Sequence, residues 1–234
     1  MYKAILFDLD GTLVENDMRK FIAAYFQSLG PKIAAFCPNG DYEKAIYSAT
    51  RPLFKKQRTP VPLIDIFYRE LSVFTGLPVK ELDSIFQSYY KNDYPKIKVV
   101  KPISGALECV KLASELAEKL VVATVPIFPV NAIKARLRQG KITGIKFDLI
   151  TGVEVMHSSK PHPYYFQEIL EKINCLPQEC LMIGNDHSDD MAAKAVGIDT
   201  YLVTLYQMNR GKSRFTPDHT GTLDDLNRFL RELS

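Results

Sequence analysis

Residues 2–16, YKAILFDLDGTLVEN, run a short apolar stretch, Ala4-Ile5-Leu6-Phe7, directly into two carboxylates, Asp8 and Asp10, followed by Gly11 and Thr12. Four apolar residues bounded by charge and glycine read as a buried strand ending in a turn. Carboxylates one residue apart repel each other and stay ionised only if they face water, a cation or hydrogen-bond donors. The compensation has to come from elsewhere in the chain or from a bound cation.

The chain has 234 residues, enough for one large domain or two moderate ones. With 46% hydrophobic and 24% charged residues it has the composition of a soluble globular protein. A net charge of +3 gives no strong basic stripe, which argues against a dedicated nucleic-acid binder. Cys37, Cys109, Cys175 and Cys180 stand singly, without a C-x-x-C pair, and are expected to be reduced, mostly buried thiols of a cytoplasmic protein. FDLDGT begins only a few residues after Met1, so no signal peptide is expected. The longest apolar run, LVVATVPIFPV (120–130), is interrupted by Pro126 and Pro129, so no membrane span is expected.

After the opening strand the pattern changes. Met18, Phe21, Ile22 and Tyr25, then Ile64, Phe67, Tyr68 and Leu71, then Leu82, Ile85, Phe86 and Tyr89 recur at helical spacing. Breakers punctuate these stretches at LGPK (29–32), CPNGD (37–41), TPVP (59–62) and TGLP (75–78). From residue 98 short apolar strands (KLVVATV, FDLITG, CLMIGND, TYLVTL) alternate with helical stretches, which predicts a parallel α/β sheet that takes its first strand from residues 3–7. The expected architecture is a Rossmann-like core of residues 1–14 and 98–234 and an all-helical cap of residues 15–97, set over the sheet edge where open α/β sheets bind ligands.

Three further strand ends carry polar groups. VVAT ends in Thr124, SSKPHP places Lys160 ahead of a helix, and LMIGNDHSDD places Asp186, Asp189 and Asp190 at a strand-to-helix turn. If the four strands are parallel, these groups meet in one crevice. Such an oxygen-rich set suits Mg²⁺, which keeps several waters and is often completed by a phosphate. A Mg²⁺ between the first and fourth turns would offset the repulsion among Asp8, Asp10 and Asp186, leaving Lys160 and the Thr124 hydroxyl to hold phosphate oxygens.

The four motifs in this order, D-x-D-G-T at Asp8 and Asp10, Thr124, Lys160, and GNDHSDD with Asp186 and Asp190, together with a helical insertion after the first, resemble the haloacid dehalogenase-like hydrolase superfamily over nearly the whole chain. The resemblance implies a phosphatase acting on a small phosphorylated metabolite. It assigns Asp8 as nucleophile and Asp10 as general acid and base. It also implies that Mg²⁺ is bound by Asp8, the Asp10 carbonyl and Asp186, with Asp190 supporting the metal directly or through water. Members that dehalogenate lack an Asp at the position of Asp10, so its presence favours phosphoryl transfer. One departure is Val125, where many relatives place Asn after the motif-two Thr or Ser.

Two alternatives share these residues. A phosphomutase would return the phosphoryl group to a sugar, and a receiver-like signalling module would hold a phosphorylated Asp without turnover. The latter normally spreads its acidic residues over different strands. Asp189 is expected to face solvent or to serve as a helix N-terminal charge favoured by the dipole, and His157, His162, His187 and His219 have no metal-ligand spacing. RGKS (210–213) lacks the upstream Gly of a phosphate loop, Tyr206 standing in its place. Arg51, Lys55, Lys56 and Arg58 form either a solvated helix face or a contact for an anionic substrate tail. Oligomeric state and substrate identity are not encoded in any of these patterns.

Overall fold

The computed structural model describes residues 2–55, 58–208 and 214–233. Strand β1 (Ala4–Phe7) is followed by a short β2 (Val14–Asn16) and then by helices α1 (Met18–Ile33), α2 (Tyr42–Thr50), α3 (Leu63–Thr75) and α4 (Val79–Asn92). β3 (Val100–Pro102) returns the chain, and the remainder alternates: α5 (Ala106–Leu116), β4 (Lys119–Val122), α6 (Val130–Gln139), β5 (Leu149–Ile150), α7 (Pro163–Ile173), β6 (Cys180–Gly184), β7 (Asp199–Val203), β8 (His219–Gly221) and α8 (Leu223–Glu232). The strand order β5-β4-β1-β6-β7-β8 is parallel throughout and puts β1 between β4 and β6. The expected parallel α/β sheet with a helical cap is therefore the fold.

Alternation along β1 explains why the strand is apolar at every position. Ile5 and Phe7 join Leu120, Val122, Leu181 and Ile183 in a core shared with α5, α6 and α8, while Ala4 and Leu6 join Val121, Cys180 and Met182 in a second core under α7. A parallel strand covered on both faces has no solvent side to carry polar residues. Each large side chain buried here contributes ~1.5–3 kcal/mol.

The helical segment begins at Asp17, whose carboxylate accepts from the N–H groups of Arg19 and Lys20 and caps α1, an interaction worth about 1 kcal/mol. Its core is aromatic: Phe21 and Tyr25 stack, Tyr89, Tyr90 and Tyr94 pack edge-on or tilted around them, and Phe128 from the loop after β4 joins edge-on. Three local expectations differ. LGPK does not stop α1, which runs through Pro31 to Ile33; Gly30 lies so close to the Tyr42 ring that a Cβ there would meet it at 2.6 Å. α2 lacked a recognised pattern, although Ala45, Ile46 and Ala49 bury one face of it. β2 and β3 pair antiparallel, with Val14 opposite Pro102, and make a two-stranded neck between sheet and helices.

Among the described residues no helix is long and apolar enough to cross a membrane. All four cysteines are free; Cys37, Cys109 and Cys180 are buried and Cys175 is half-buried.

Candidate active site

Asp8 is the first residue beyond β1, and its N–H donates to the Ile183 carbonyl of β6 at 2.8 Å while the Phe7 carbonyl accepts from Ala123 at 2.7 Å. The neighbouring strands thus fix where the carboxylate emerges. The chain then turns sharply, with Gly11 N–H donating to the Val14 carbonyl at 2.7 Å. Gly11 has φ +87°, and a Cβ there would meet Asn185 Nδ2 at 2.3 Å. Only glycine supplies both the left-handed backbone and the space.

Lys160 is wholly buried and donates to Asp8 Oδ1 at 2.9 Å and to Asp190 Oδ1 at 2.5 Å. Asp190 Oδ2 accepts from the Asp186 N–H at 2.8 Å. Both Asp190 oxygens are thus engaged in orienting Lys160 and the Asp186 backbone. Asp186 Oδ1 in turn accepts from the N–H groups of Ser188 at 2.8 Å and Asp189 at 3.0 Å. One ammonium therefore faces two buried carboxylates. Burial, and then the charge of Asp190, push the Asp8 carboxyl up to about 7 against the opposing pull of Lys160. Burial also raises Asp190. For Lys160 burial acts against the charge, but Asp190 and Asp8 outweigh it and the ammonium is held well above its ordinary range.

Asp10 points into the same cavity, clamped on both oxygens: Oδ1 accepts from Asn16 Nδ2 at 2.9 Å and Oδ2 from Arg136 Nη1 at 2.6 Å. Thr124 is buried beside it and lines the cavity. Its backbone is pinned by Thr151, whose Oγ1 accepts from the Thr124 N–H at 2.9 Å, and by Tyr165, whose hydroxyl donates to the Thr124 carbonyl at 2.8 Å. The cavity measures about 640 Å³ and is lined by Asp8, Asp10, Thr124, Lys160, Asp186 and Asp190, together with Asp189, Glu15, Asp17 and Arg136. A larger cavity of about 1040 Å³ lies among α1–α4 and the loop after β4, with an aromatic lining that includes Tyr25, Phe67, Tyr68 and Phe86. The carboxylates on the strand ends and Lys160 face the smaller one. Phe128 and Ile127 form a wall common to both.

All six residues expected from the sequence, Asp8, Asp10, Thr124, Lys160, Asp186 and Asp190, thus border one cavity. Arg136, Asn16 and Thr151 were not anticipated. Arg136 carried a signal: it follows Ala132 by four and Ile133 by three on the buried stripe of α6, where an apolar residue is the rule. Asp189 is half-buried at the rim of the cavity. Of the basic cap residues, Arg58 makes a bidentate pair with Glu171 of α7 at 2.9 and 2.7 Å, and Arg51 and Lys55 are exposed. Lys56 and residues 210–213 lie outside the described residues. His157 Nδ1 pairs with buried Glu168 at 2.8 Å, and His162 caps α7.

Comparison with known proteins agrees with this geometry. The family model for haloacid dehalogenase-like hydrolases matches residues 2–197. The chain is 24% identical over 207 residues to pyrophosphatase PpaX of Halalkalibacterium halodurans, covering 85% of this chain and 82% of that protein. It is 24% identical over 232 residues to pyrophosphatase PpaX of Bacillus cereus (strain B4264), covering 98% and 95%. Among solved structures, a HAD phosphatase from Thermococcus onnurineus superposes with a TM-score of 0.59 at 18% identity over 97% of each chain. L-2-haloacid dehalogenase from Xanthobacter autotrophicus superposes with a TM-score of 0.57 at 18% identity over the whole of both chains. With its motifs gathered at one sheet edge and the family model spanning residues 2–197, the chain belongs to the haloacid dehalogenase-like hydrolases.

Proposed function

We propose that the protein is a Mg²⁺-dependent phosphatase that hydrolyses a small phosphorylated metabolite through an aspartyl-phosphate on Asp8. The observation that carries this reading is the placement of Asp8, Lys160 and Asp10 around one cavity of about 640 Å³, a size suited to a small ligand.

The donor set fits the metal. Among the described residues seven carboxyl side chains line the cavity against two cations, Arg136 and Lys160, and a hard, oxygen-seeking ion relieves that excess. Among the described residues no three Asp, Glu, His or Cys side chains converge as a ready-made metal site. As the family resemblance implies, Asp8 and Asp186 would hold the ion with the Asp10 carbonyl and water. When bound, Mg²⁺ supplies positive charge that lets an anionic carboxylate approach an anionic phosphoryl group.

In the first step an Asp8 carboxylate oxygen bonds to phosphorus and the bond to the leaving oxygen breaks, that oxygen taking its proton from Asp10. In the second step Asp10 takes a proton from water, the hydroxide bonds to phosphorus, and the bond to Asp8 breaks to give inorganic phosphate and the free carboxylate. Lys160 holds Asp8 in place and opposes the charge gathering on the phosphoryl oxygens. Asp190 keeps Lys160 oriented. Thr151 and Tyr165 hold the Thr124 backbone, and the Thr124 hydroxyl would bind the same oxygens. Asp10 favours phosphoryl transfer over dehalogenation, because a departing halide needs no proton.

The test is phosphate release from pyrophosphate, phosphorylated metabolites and an aryl phosphate, with Mg²⁺ and with chelator, in wild type and Asp8→Asn. Pyrophosphate comes first because the curated relatives carry that activity in their names. Metal-dependent release lost in the variant is the expected result. Release that survives in Asp8→Asn would remove Asp8 as the nucleophile.

A further inference from the structure

Arg136 is the largest of the fully buried side chains, 2% exposed in the middle of α6. Its guanidinium carbon lies 5.4 Å from the Phe21 ring centre and 5.2 Å from that of Phe128. Its Nε is buried without a protein acceptor. Asp10 is the carboxylate within ion-pair distance of it among the described residues, at 2.6 Å. Taking a guanidinium out of water for a single carboxylate contributes little or nothing to stability compared with an apolar residue of similar size. The neighbours Ala132, Ile133, Ala135 and Leu137 show that this stretch of α6 is otherwise built for apolar burial. The arginine therefore has a purpose other than packing, and its one charged partner faces the cavity.

We infer that Arg136 is the positioning residue for Asp10, fixing its carboxylate in the orientation that serves the leaving oxygen. This rests on the reading of Asp10 as the general acid. Asn16 holds the other oxygen at 2.9 Å from β2, so the carboxylate is gripped from the neck on one side and from α6 on the other. A side chain with two free torsions is thereby reduced to one direction, and proton transfer depends steeply on that direction. Phe21 belongs to α1 and Phe128 to the loop after Thr124. The same guanidinium therefore ties Asp10 to the helical cap and to the second motif.

A structural arginine and a positioning arginine differ in one measurable respect. Departure of an alkoxide needs a proton, whereas a nitrophenolate leaves as a stable anion. A misplaced acid therefore slows alkyl phosphates selectively, while a loosened fold slows every substrate alike. The quantity to compare is kcat/KM, which covers the steps up to departure of the leaving group. The experiment measures it for a series of alkyl and aryl phosphates in wild type, Arg136→Met, Arg136→Lys, Asp10→Asn and Arg136→Met/Asp10→Asn.

The expected result is a loss of about 10²-fold for alkyl phosphates in Arg136→Met, the lower end of what general acid catalysis supplies. For nitrophenyl phosphate the loss stays within a few-fold. Asp10→Asn shows the same steepened dependence, and adding Arg136→Met to it costs nothing more, as for groups acting as a unit. Arg136→Lys keeps the charge but falls short of Asp10 and is impaired in the same selective way; it also carries the test if Arg136→Met does not fold. Equal losses across the series, or effects that multiply with Asp10→Asn, would overturn the assignment. A wild-type leaving-group dependence in Asp10→Asn would remove Asp10 as the acid and this role of Arg136 with it. The nucleophile is tested separately by Asp8→Asn.

Discussion

Lys160 Nζ lies 2.9 Å from Asp8 Oδ1, and the same ammonium is bonded to Asp190. The nucleophile of the proposed reaction is thus one of the three members of a buried ion triad. Replacing Lys160 with Met leaves two carboxylates side by side with no cation, and breaking a buried pair in this way costs about 3–5 kcal/mol. Lys160 itself stays charged across the neutral range, because its ammonium is held above its ordinary value. The cost of the variant therefore follows the carboxylates. It is expected to be full at pH 8 and smaller at pH 5, where one of them takes a proton. Urea denaturation at the two pH values measures it, and an equal cost at both would disprove the triad's energetic role.

The raised Asp8 carboxyl has an opposite consequence. Its ordinary value is 3.8, and burial followed by Asp190 lifts it to about 7. The folded chain then binds this proton more tightly than the unfolded chain, so stability is greatest below the ordinary value and declines as pH rises toward 7. Asp8→Asn has no such proton to lose. With chelator present its Tm is expected to exceed that of wild type at pH 8, with the margin shrinking toward pH 4, while turnover is absent at both. Adding Mg²⁺ should raise the wild-type Tm and narrow the gap. A margin independent of pH would show that Asp8 does not titrate as described.

How far the sequence reaches depends on what signals each element. Strands β1, β4, β6 and β7 are buried on both faces, and runs such as Ala4–Phe7 and Cys180–Gly184 announce that burial residue by residue. β8, His-Thr-Gly at the sheet edge, has no apolar run to show. The β2–β3 neck joins segments more than eighty residues apart, and only the folded chain reveals that pairing. The same division holds at the site. Asp8, Asp10 and Asp186 are charged residues just past the ends of legible strands, Asp190 follows in the turn after β6, and Lys160 stands in the loop between β5 and α7. Thr151 is an ordinary polar residue until the fold sets its hydroxyl against the Thr124 backbone. Arg136 was visible only as an exception on an apolar stripe.

Gly184 ends β6 directly beneath the triad. A Cβ there would stand 2.1 Å from Asp190 Oδ2 and 2.3 Å from its Cγ. Asp190 cannot yield without releasing Lys160 on one oxygen and the Asp186 N–H on the other. Gly184→Ala is therefore expected to cost about 1–3 kcal/mol, as overpacking does, and to lower kcat more than the stability loss explains. Denaturation and steady-state kinetics on one preparation separate the two. Unchanged kcat in a destabilised protein would mean that Asp190 can move without disturbing Lys160.

Thr151 gives the complementary prediction, because it holds backbone rather than charge. Its Oγ1 accepts from the Thr124 N–H at 2.9 Å and lies 2.8 Å from the Thr124 carbonyl, 3.1 Å from that of Val122 and 3.0 Å from the Tyr165 hydroxyl. All of these groups are buried, so Thr151→Val leaves the Thr124 N–H without an acceptor, at about 1–3 kcal/mol. Thr151→Ser keeps the oxygen and loses a methyl group, and is expected to recover most of the stability. If Thr124 holds phosphate oxygens, Thr151→Val also raises KM for every phosphorylated substrate, while the leaving-group dependence stays that of wild type. That pattern is the reverse of the one expected for Arg136→Met. A steepened leaving-group dependence in Thr151→Val would mean that the second strand end contributes to proton transfer rather than to binding.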